Sequence, residues 1–160
     1  MGVRLLAKVD FDNSGFKKIK GALSDSLKTR VGILGDKANE AHGEGKTNVE
    51  IGSIHEFGSV SQGIPPRSFL RVPLEMKIWE WVKKNKDHYK EMLEAGTLRK
   101  WYAALGFAAE EIIDNAFISR GFGKWMPLKP RTIKEKGSDM PLIDTGQLRA
   151  SISSQVLDDN

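Results

Sequence analysis

Three stretches of this chain carry residue types that do chemistry elsewhere. His42-Gly-Glu-Gly-Lys-Thr47 ends like a phosphate-binding loop. That motif cradles phosphates with backbone N–H groups, and it needs a glycine five residues before Gly45, where this chain has Glu40. A long polar segment also precedes it, whereas such a loop springs tightly from a buried strand. His55-Glu56 would suit a zinc-protease helix, which requires a second histidine at position 59, and that residue is Ser59. His42 and His88 stand at no matching ligand spacing, so a lone histidine here reads as a packing or hydrogen-bonding residue. Ser151, Ser153 and Ser154 lack the glycine elbow that exposes a nucleophile. Glu110, Glu111 and Asp114 share one helix and read as a solvated face. No catalytic group, cofactor site or metal site is expected.

A fourth constellation is basic. Arg120, Lys124, Lys129, Arg131, Lys134 and Lys136 lie close together, interleaved with Phe122 and Trp125. Basic residues mixed with aromatics can follow a phosphate backbone and stack on bases. A basic surface around a turn is the favoured alternative. The formal charge of +4 permits an acidic or nucleic-acid partner without requiring one.

The elements that would position these groups follow from length and patterning. The 160 residues suit one domain with a sizeable core. The absence of cysteine excludes disulfides and thiolate chemistry and fits a reducing cytoplasm. No run of apolar residues is long enough to cross a membrane, and the first residues lack the apolar core of a signal peptide.

Residues 3–11 alternate as a strand does, and a helix follows to about Lys28. Thr29 to Leu34 reads as a second strand. Residues 35–47 read as a mobile polar loop. Asn48 is expected to cap a short helix carrying Val49, Ile51, Ile54 and Phe57 and ending at Gly58. A second mobile loop covers 59–64, and Pro65-Pro66 forces extended backbone. Ser68 is placed as the cap of one long helix over 69–93, with Pro73 tolerated in its first turns. Trp79 and Trp81 cannot share its inner face. Thr97 opens the clearest periodic segment: Leu98, Trp101, Leu105, Ala108, Ile112 and Ala116 form the stripe of a central helix. Arg131 to Lys136 makes a basic helical turn. Asp144 and Gln147 resemble a capping box before a last short helix, and 151–157 reads as the final strand. The class is α+β: about three strands packed against two long helices, with short flanking helices.

Two segments carry a family likeness. One is Asn48-Val-Glu-Ile-Gly-Ser-Ile-His-Glu-Phe-Gly-Ser59 with Ile64-Pro-Pro-Arg-Ser-Phe-Leu-Arg71. The other is Trp125-Met-Pro-Leu128 with Thr132, then Pro141-Leu-Ile-Asp-Thr-Gly-Gln-Leu-Arg-Ala-Ser-Ile152. In order and spacing they resemble the virion morphogenesis, or tail-completion (neck), proteins of tailed bacteriophages of the phage Mu type, over most of residues 30–157. Gly52 departs from the pattern, where the family offers a better helix former.

The resemblance implies a non-enzymatic virion component at the head–tail junction. Such proteins complete the tail end and join it to the head connector, often as a hexameric ring around the DNA channel. The implied partners are copies of itself, head-connector and tail-tube or tail-terminator proteins, and DNA contacted non-specifically by the basic residues. The alternative is a nucleic-acid-binding module using residues 120–136. The motif positions His55, Glu56, Phe57, Gly58, Arg67, Phe69, Arg71, Trp125, Leu128, Asp144, Thr145, Gly146 and Leu148 then divide between holding the fold and contacting a neighbour. For His55, Glu56, Arg67 and Arg71 both roles stay open. Asp144 and Thr145 are expected to cap the last helix, with Gly146 letting its backbone approach a neighbour.

Overall fold

The chain path runs β1 (Leu27–Ile33), α1 (Asp36–Asn39), β2 (Ala41–His42), β3 (Lys46–Thr47), α2 (Asn48–Phe57) and α3 (Arg71–Lys84). It continues through α4 (Lys86–Glu94), α5 (Leu98–Ile118), α6 (Pro130–Lys136), α7 (Gln147–Ala150) and β4 (Ile152–Asp158). This computed structural model describes residues 27–42 and 45–158. The expected strand at 3–11 and nearly all of the helix after it lie outside the described residues. Leu27 and Lys28, expected to end that helix, instead begin β1. β1 and β4 pair antiparallel, with Leu27 opposite Asp158 and Ile33 opposite Ile152. Thr29, Val31 and Ile33 are β-branched and suit this pleated, half-buried surface. The architecture is α+β, with helices on a small antiparallel sheet.

α5 is the central element, packed against both strands of the sheet and against α3 and α4. Its close seat on the sheet rests on Gly106, where an added Cβ would fall 2.5 Å from Ser154 Oγ. Leu98, Trp101, Ala108 and Ala116 of the expected stripe are buried. Leu105 and Ile112 are only half-buried, whereas Ala109, Ile113 and Phe117 are buried. A helix with partners on two sides buries a wider arc than one 3.6-residue stripe marks. Ile113, Ala116 and Phe117 meet Phe69, Trp125 and Leu148 in the main core.

The expected long helix over 69–93 is broken. α3 starts at Arg71, and Asn85 interrupts the path before α4. Asn85 Nδ2 donates to Trp81 O at 2.9 Å, the local side-chain bond by which asparagine competes with helical pairing. The break lets Trp81 and Tyr89 both close on Trp101, with ring centroids 5.9 and 4.9 Å away. Trp79 is left 66% exposed, which answers which of the two tryptophans faces out.

The loop expected at 35–47 contains α1 and the small β2–β3 hairpin, with Ala41 opposite Thr47. Thr47, not Asn48, caps α2. Its Oγ1 accepts Glu50 N at 3.3 Å, and the Glu50 carboxylate accepts Thr47 N at 2.8 Å, a reciprocal capping box. Those bonds hold the Glu50 carboxyl below its ordinary range. Asn48 is fully buried: its Nδ2 donates to Lys37 O at 2.8 Å, and its Oδ1 lies 2.8 Å from His42 Nδ1. The second expected loop is closed by paired bonds between Ser59 and Ile64, at 2.8 and 2.9 Å.

After α5 the chain makes a left-handed turn, with φ between 55° and 77° at Arg120, Gly121, Phe122 and Gly123. Left-handed backbone costs a side-chain-bearing residue roughly 1–2 kcal/mol. Here Phe122 N donates to Ser119 Oγ, and Phe122 packs on the core. The turn delivers Trp125 into the core.

Candidate functional site

α2 buries a polar line. Asn48, Gly52 and Glu56, spaced by four, face inward, while Val49 is 40% and Phe57 74% exposed. Residues four apart lie one above another on a helix, so this is one continuous edge. Each member has a separate reason to be inside. Asn48 stitches the α1–β2 region. Gly52 makes room: a Cβ there would stand 2.5 Å from Ile33 Cδ1 and close to Phe69 and Leu148. The glycine that weakens α2 in the sequence is thus the point where β1 and the core press on it.

Glu56 organises the next segment. Its Oε1 accepts Ser68 Oγ at 2.6 Å and Arg71 N at 3.1 Å; its Oε2 accepts Phe69 N at 2.8 Å and Leu70 N at 3.0 Å. The carboxylate therefore occupies the N-terminal end of α3, where unpaired N–H groups and the helix dipole both favour negative charge. Ser68, expected as the cap, is not the N-cap, which is Leu70, but from outside the helix its Oγ still accepts Val72 N at 3.0 Å. Between Glu56 and α3 the chain must double back. Gly58 allows this with φ 78° and ψ 174°, and an added Cβ would sit 2.9 Å from both Ile64 O and Pro66 N.

The second motif segment is fastened to the first. Arg67 is 6% exposed; its Nε donates to Met126 O at 2.9 Å and its Nη2 to Pro127 O at 3.3 Å. Arg67 N also donates to His55 O at 2.7 Å. Trp125 Nε1 donates to Ser68 O at 3.1 Å, and its ring meets Phe117 edge-on, which in turn packs on Phe69. Glu56 and Arg67, whose roles the sequence leaves open between fold and neighbour, are internal fasteners. Arg71 is exposed, with its guanidinium 3.2 Å from Glu75.

Beside this knot lies a pocket of about 250 Å³. Ile51, Leu128, Leu142 and Leu148 give it apolar walls, and His42, His55, Arg67, Lys136 and Asp144 bring charge or titratable nitrogen to it. His55 Nδ1 is buried without a hydrogen-bond partner among the described residues. Burial, and then Arg67, His42 and Lys136, push the His55 imidazole down to about 4. Lys136 Nζ donates to Met140 O at 2.6 Å, and burial lowers its ammonium's pKa against the opposing pull of Asp144. Burial also lowers that of Arg67.

The remaining predicted positions divide as follows. Leu128 is a pocket wall and Leu148 is core. Neither Asp144 nor Thr145 caps α7, whose N-cap is Gly146: the exposed Asp144 stands at the pocket, and Thr145 Oγ1 accepts Gln147 N at 3.2 Å from just outside the cap. Nor does Gln147 close a capping box, since its Nε2 donates to Ala41 O at 2.7 Å. Gly146 has no atom near its Cβ position; it supplies the left-handed φ of 82° that opens α7. Of the basic set, Arg120 pairs with Asp139 at 2.7 Å, Arg131 with Glu135 at 2.7 Å, and Lys136 belongs to the pocket. Lys124, Lys129 and Lys134 are exposed. Phe122 is half-buried and Trp125 buried, so neither offers a free face for base stacking.

Sequence reasoning missed His42 as a member of this region, because only the β2–β3 hairpin brings it there; Gln147 lines the pocket from the start of α7, beside Gly146 and Leu148. It also missed the Asp114–Arg149 salt bridge, in which Arg149 Nη2 donates to Asp114 Oδ2 at 2.8 Å. The hydrogen bond from Arg149 holds the Asp114 carboxyl below its usual range. Among the described residues no group of three or more His, Asp or Glu side chains is arranged to hold a metal ion, and no helix is long and apolar enough to cross a membrane. No family model, curated protein or solved structure matches this chain at significant similarity.

Proposed function

We propose that this protein is a structural virion component of a tailed bacteriophage, one that completes the tail end and joins it to the head connector. It acts by assembly rather than by catalysis, as a ring of copies around the DNA channel. The reading starts from the two sequence segments that resemble tail-completion proteins. The observation that supports it most is that these segments form one fastened unit, through Glu56, Arg67 and Trp125, which holds large apolar side chains out in solvent. Phe57 is 74% and Val60 fully exposed on either side of Gly58. Val49 and Phe57 line a groove of about 330 Å³ that also takes in Ile33 and Leu70. A rigid mount presenting apolar surface is what a subunit contact requires. A ring needs such a contact to be heterologous and to close.

The nucleic-acid-binding alternative has less support, because two of its arginines are paired within the chain and its aromatics are packed inward. Electron microscopy of particles assembled without this protein tests the proposal. Heads and tails that fail to join are the expected result, and normally joined particles would overturn it. Salt-dependent DNA binding by the purified chain, lost when Lys124, Lys129 and Lys134 are replaced by alanine, would favour the alternative.

A further inference from the structure

We propose that the pocket between the two motif segments is a carboxylate-binding site, which takes an acidic side chain presented by a partner protein. The pocket is a property of the chain itself and does not rest on the virion reading. Its charge is unbalanced: Arg67 and Lys136 bring two fixed cations, and Asp144 alone opposes them. Arg67 reaches the pocket from the strap before α3, Lys136 from the end of α6, His42 from the β2–β3 hairpin and His55 from α2. Asp144 comes from the turn before α7.

The donors there have spare capacity. One of the three ammonium protons of Lys136 goes to Met140 O. His55 Nδ1 is buried in the same wall with no partner among the described residues. A buried polar nitrogen without a partner is costly.

The shape selects the acid. Aliphatic walls from Ile51, Leu128, Leu142 and Leu148 match the methylene stem of a glutamate, with the carboxylate reaching the cationic end. A volume of about 250 Å³ admits one side chain. A phosphodiester backbone repeats its charge along a track and gains nothing from apolar walls. Proton linkage follows from the same geometry. His55 is kept neutral by burial and by Arg67, His42 and Lys136, and a bound carboxylate offsets those cations. A bound carboxylate therefore draws the His55 imidazole upward from its depressed range, against the burial that lowers it most.

The test is a titration of the full chain, followed by histidine ring and Lys136 signals in NMR. The probes are a short glutamate-rich peptide, the same peptide with glutamine in place of glutamate, glutarate and duplex DNA. The expected result is saturable binding of the glutamate peptide, at least tenfold tighter than glutarate, with His55 shifting toward its protonated position. The glutamine peptide should leave these signals unmoved. Lys136→Met should weaken binding at least tenfold, while Lys134→Met on the exposed side of α6 should not. Four results would overturn the proposal: no saturable response, equal response to both peptides, glutarate binding as tight as the peptide, or DNA alone shifting the pocket. Unchanged binding by a folded Lys136→Met variant would do so as well.

Discussion

Replacing Glu56 should damage the fold more than any other single carboxylate replacement in the described chain. Its two oxygens accept four hydrogen bonds, three of them from the backbone N–H groups of Phe69, Leu70 and Arg71. A hydrogen bond to a charged group contributes about 1.5–3 kcal/mol, and a carboxylate at a helix N-terminus adds up to about 2 kcal/mol when partly buried. Simple addition would approach the whole stability of a domain, about 5–15 kcal/mol, so relaxation must absorb part of it. Glu56→Ala is therefore expected to cost roughly 3–5 kcal/mol, the range seen when one partner of a buried charged contact is removed. Glu56→Gln separates the contributions. If its oxygen keeps Phe69 N and Leu70 N, its amide faces Ser68 Oγ, which can accept. It also faces Arg71 N, which cannot. One backbone bond and the charge are lost, for about 1–3 kcal/mol. Urea unfolding with linear extrapolation measures both, and amide exchange at residues 69–71 locates the effect. If Glu56→Ala unfolds within about 0.5 kcal/mol of wild type, or if Gln costs as much as Ala, the capping argument fails.

Three further outcomes follow from named contacts. Gly58→Ala should destabilise by about 2–4 kcal/mol, because φ 78° with ψ 174° is a glycine-only conformation and the Cβ would strike Ile64 O and Pro66 N. Gly52→Ala should cost under about 1.5 kcal/mol by the same melts, since the nearest atom is the movable tip of Ile33 and alanine improves helix propensity. Because the folded-state pKa of His55 lies near 4, below the ordinary 6.5, the unfolded chain binds more protons between those values. Stability from His55 is thus full above about 6.5 and is lost as pH falls toward 4, by about 2 kcal/mol between pH 7 and 5. A His55→Gln variant melted at both pH values should lack that loss.

The large elements were legible where one pattern dominated. β1, β4 and α5 stand close to where their β character or periodicity places them, since each turns apolar side chains toward the core. The errors have a common physical origin in polar side chains that bond locally. Asn85 splits the helix expected over 69–93, and Thr47 takes the cap assigned to Asn48. In each case several residues of similar capping strength lie within reach, and tertiary packing decides among them. The knot itself was visible as two motif segments, but not its wiring. That Glu56 reaches across to α3, or Arg67 to Met126, is a fact of how the chain doubles back at Gly58. His42 was even less accessible, because nothing local to it marks the pocket it lines.

The inversion of α2 bears on where a neighbour would attach. Its sequence offers Val49, Ile51, Ile54 and Phe57 as the inner face, yet the line that is fully buried is Asn48, Gly52 and Glu56. The helix gives its inner edge to hydrogen bonds that hold β2, β3 and α3 in place, which leaves Val49 and Phe57 outside. Phe57 adjoins the buried Glu56, about 100° around the helix, so its direction is fixed by the anchor beside it. If that side chain serves assembly, Phe57→Ser should leave the urea midpoint of the isolated chain within about 0.5 kcal/mol of wild type, because an exposed position loses little burial. The same change should abolish closed oligomers in sedimentation or electron microscopy. A loss of 2 kcal/mol or more would instead make Phe57 part of the core. Intact rings from the folded variant would move the subunit contact elsewhere.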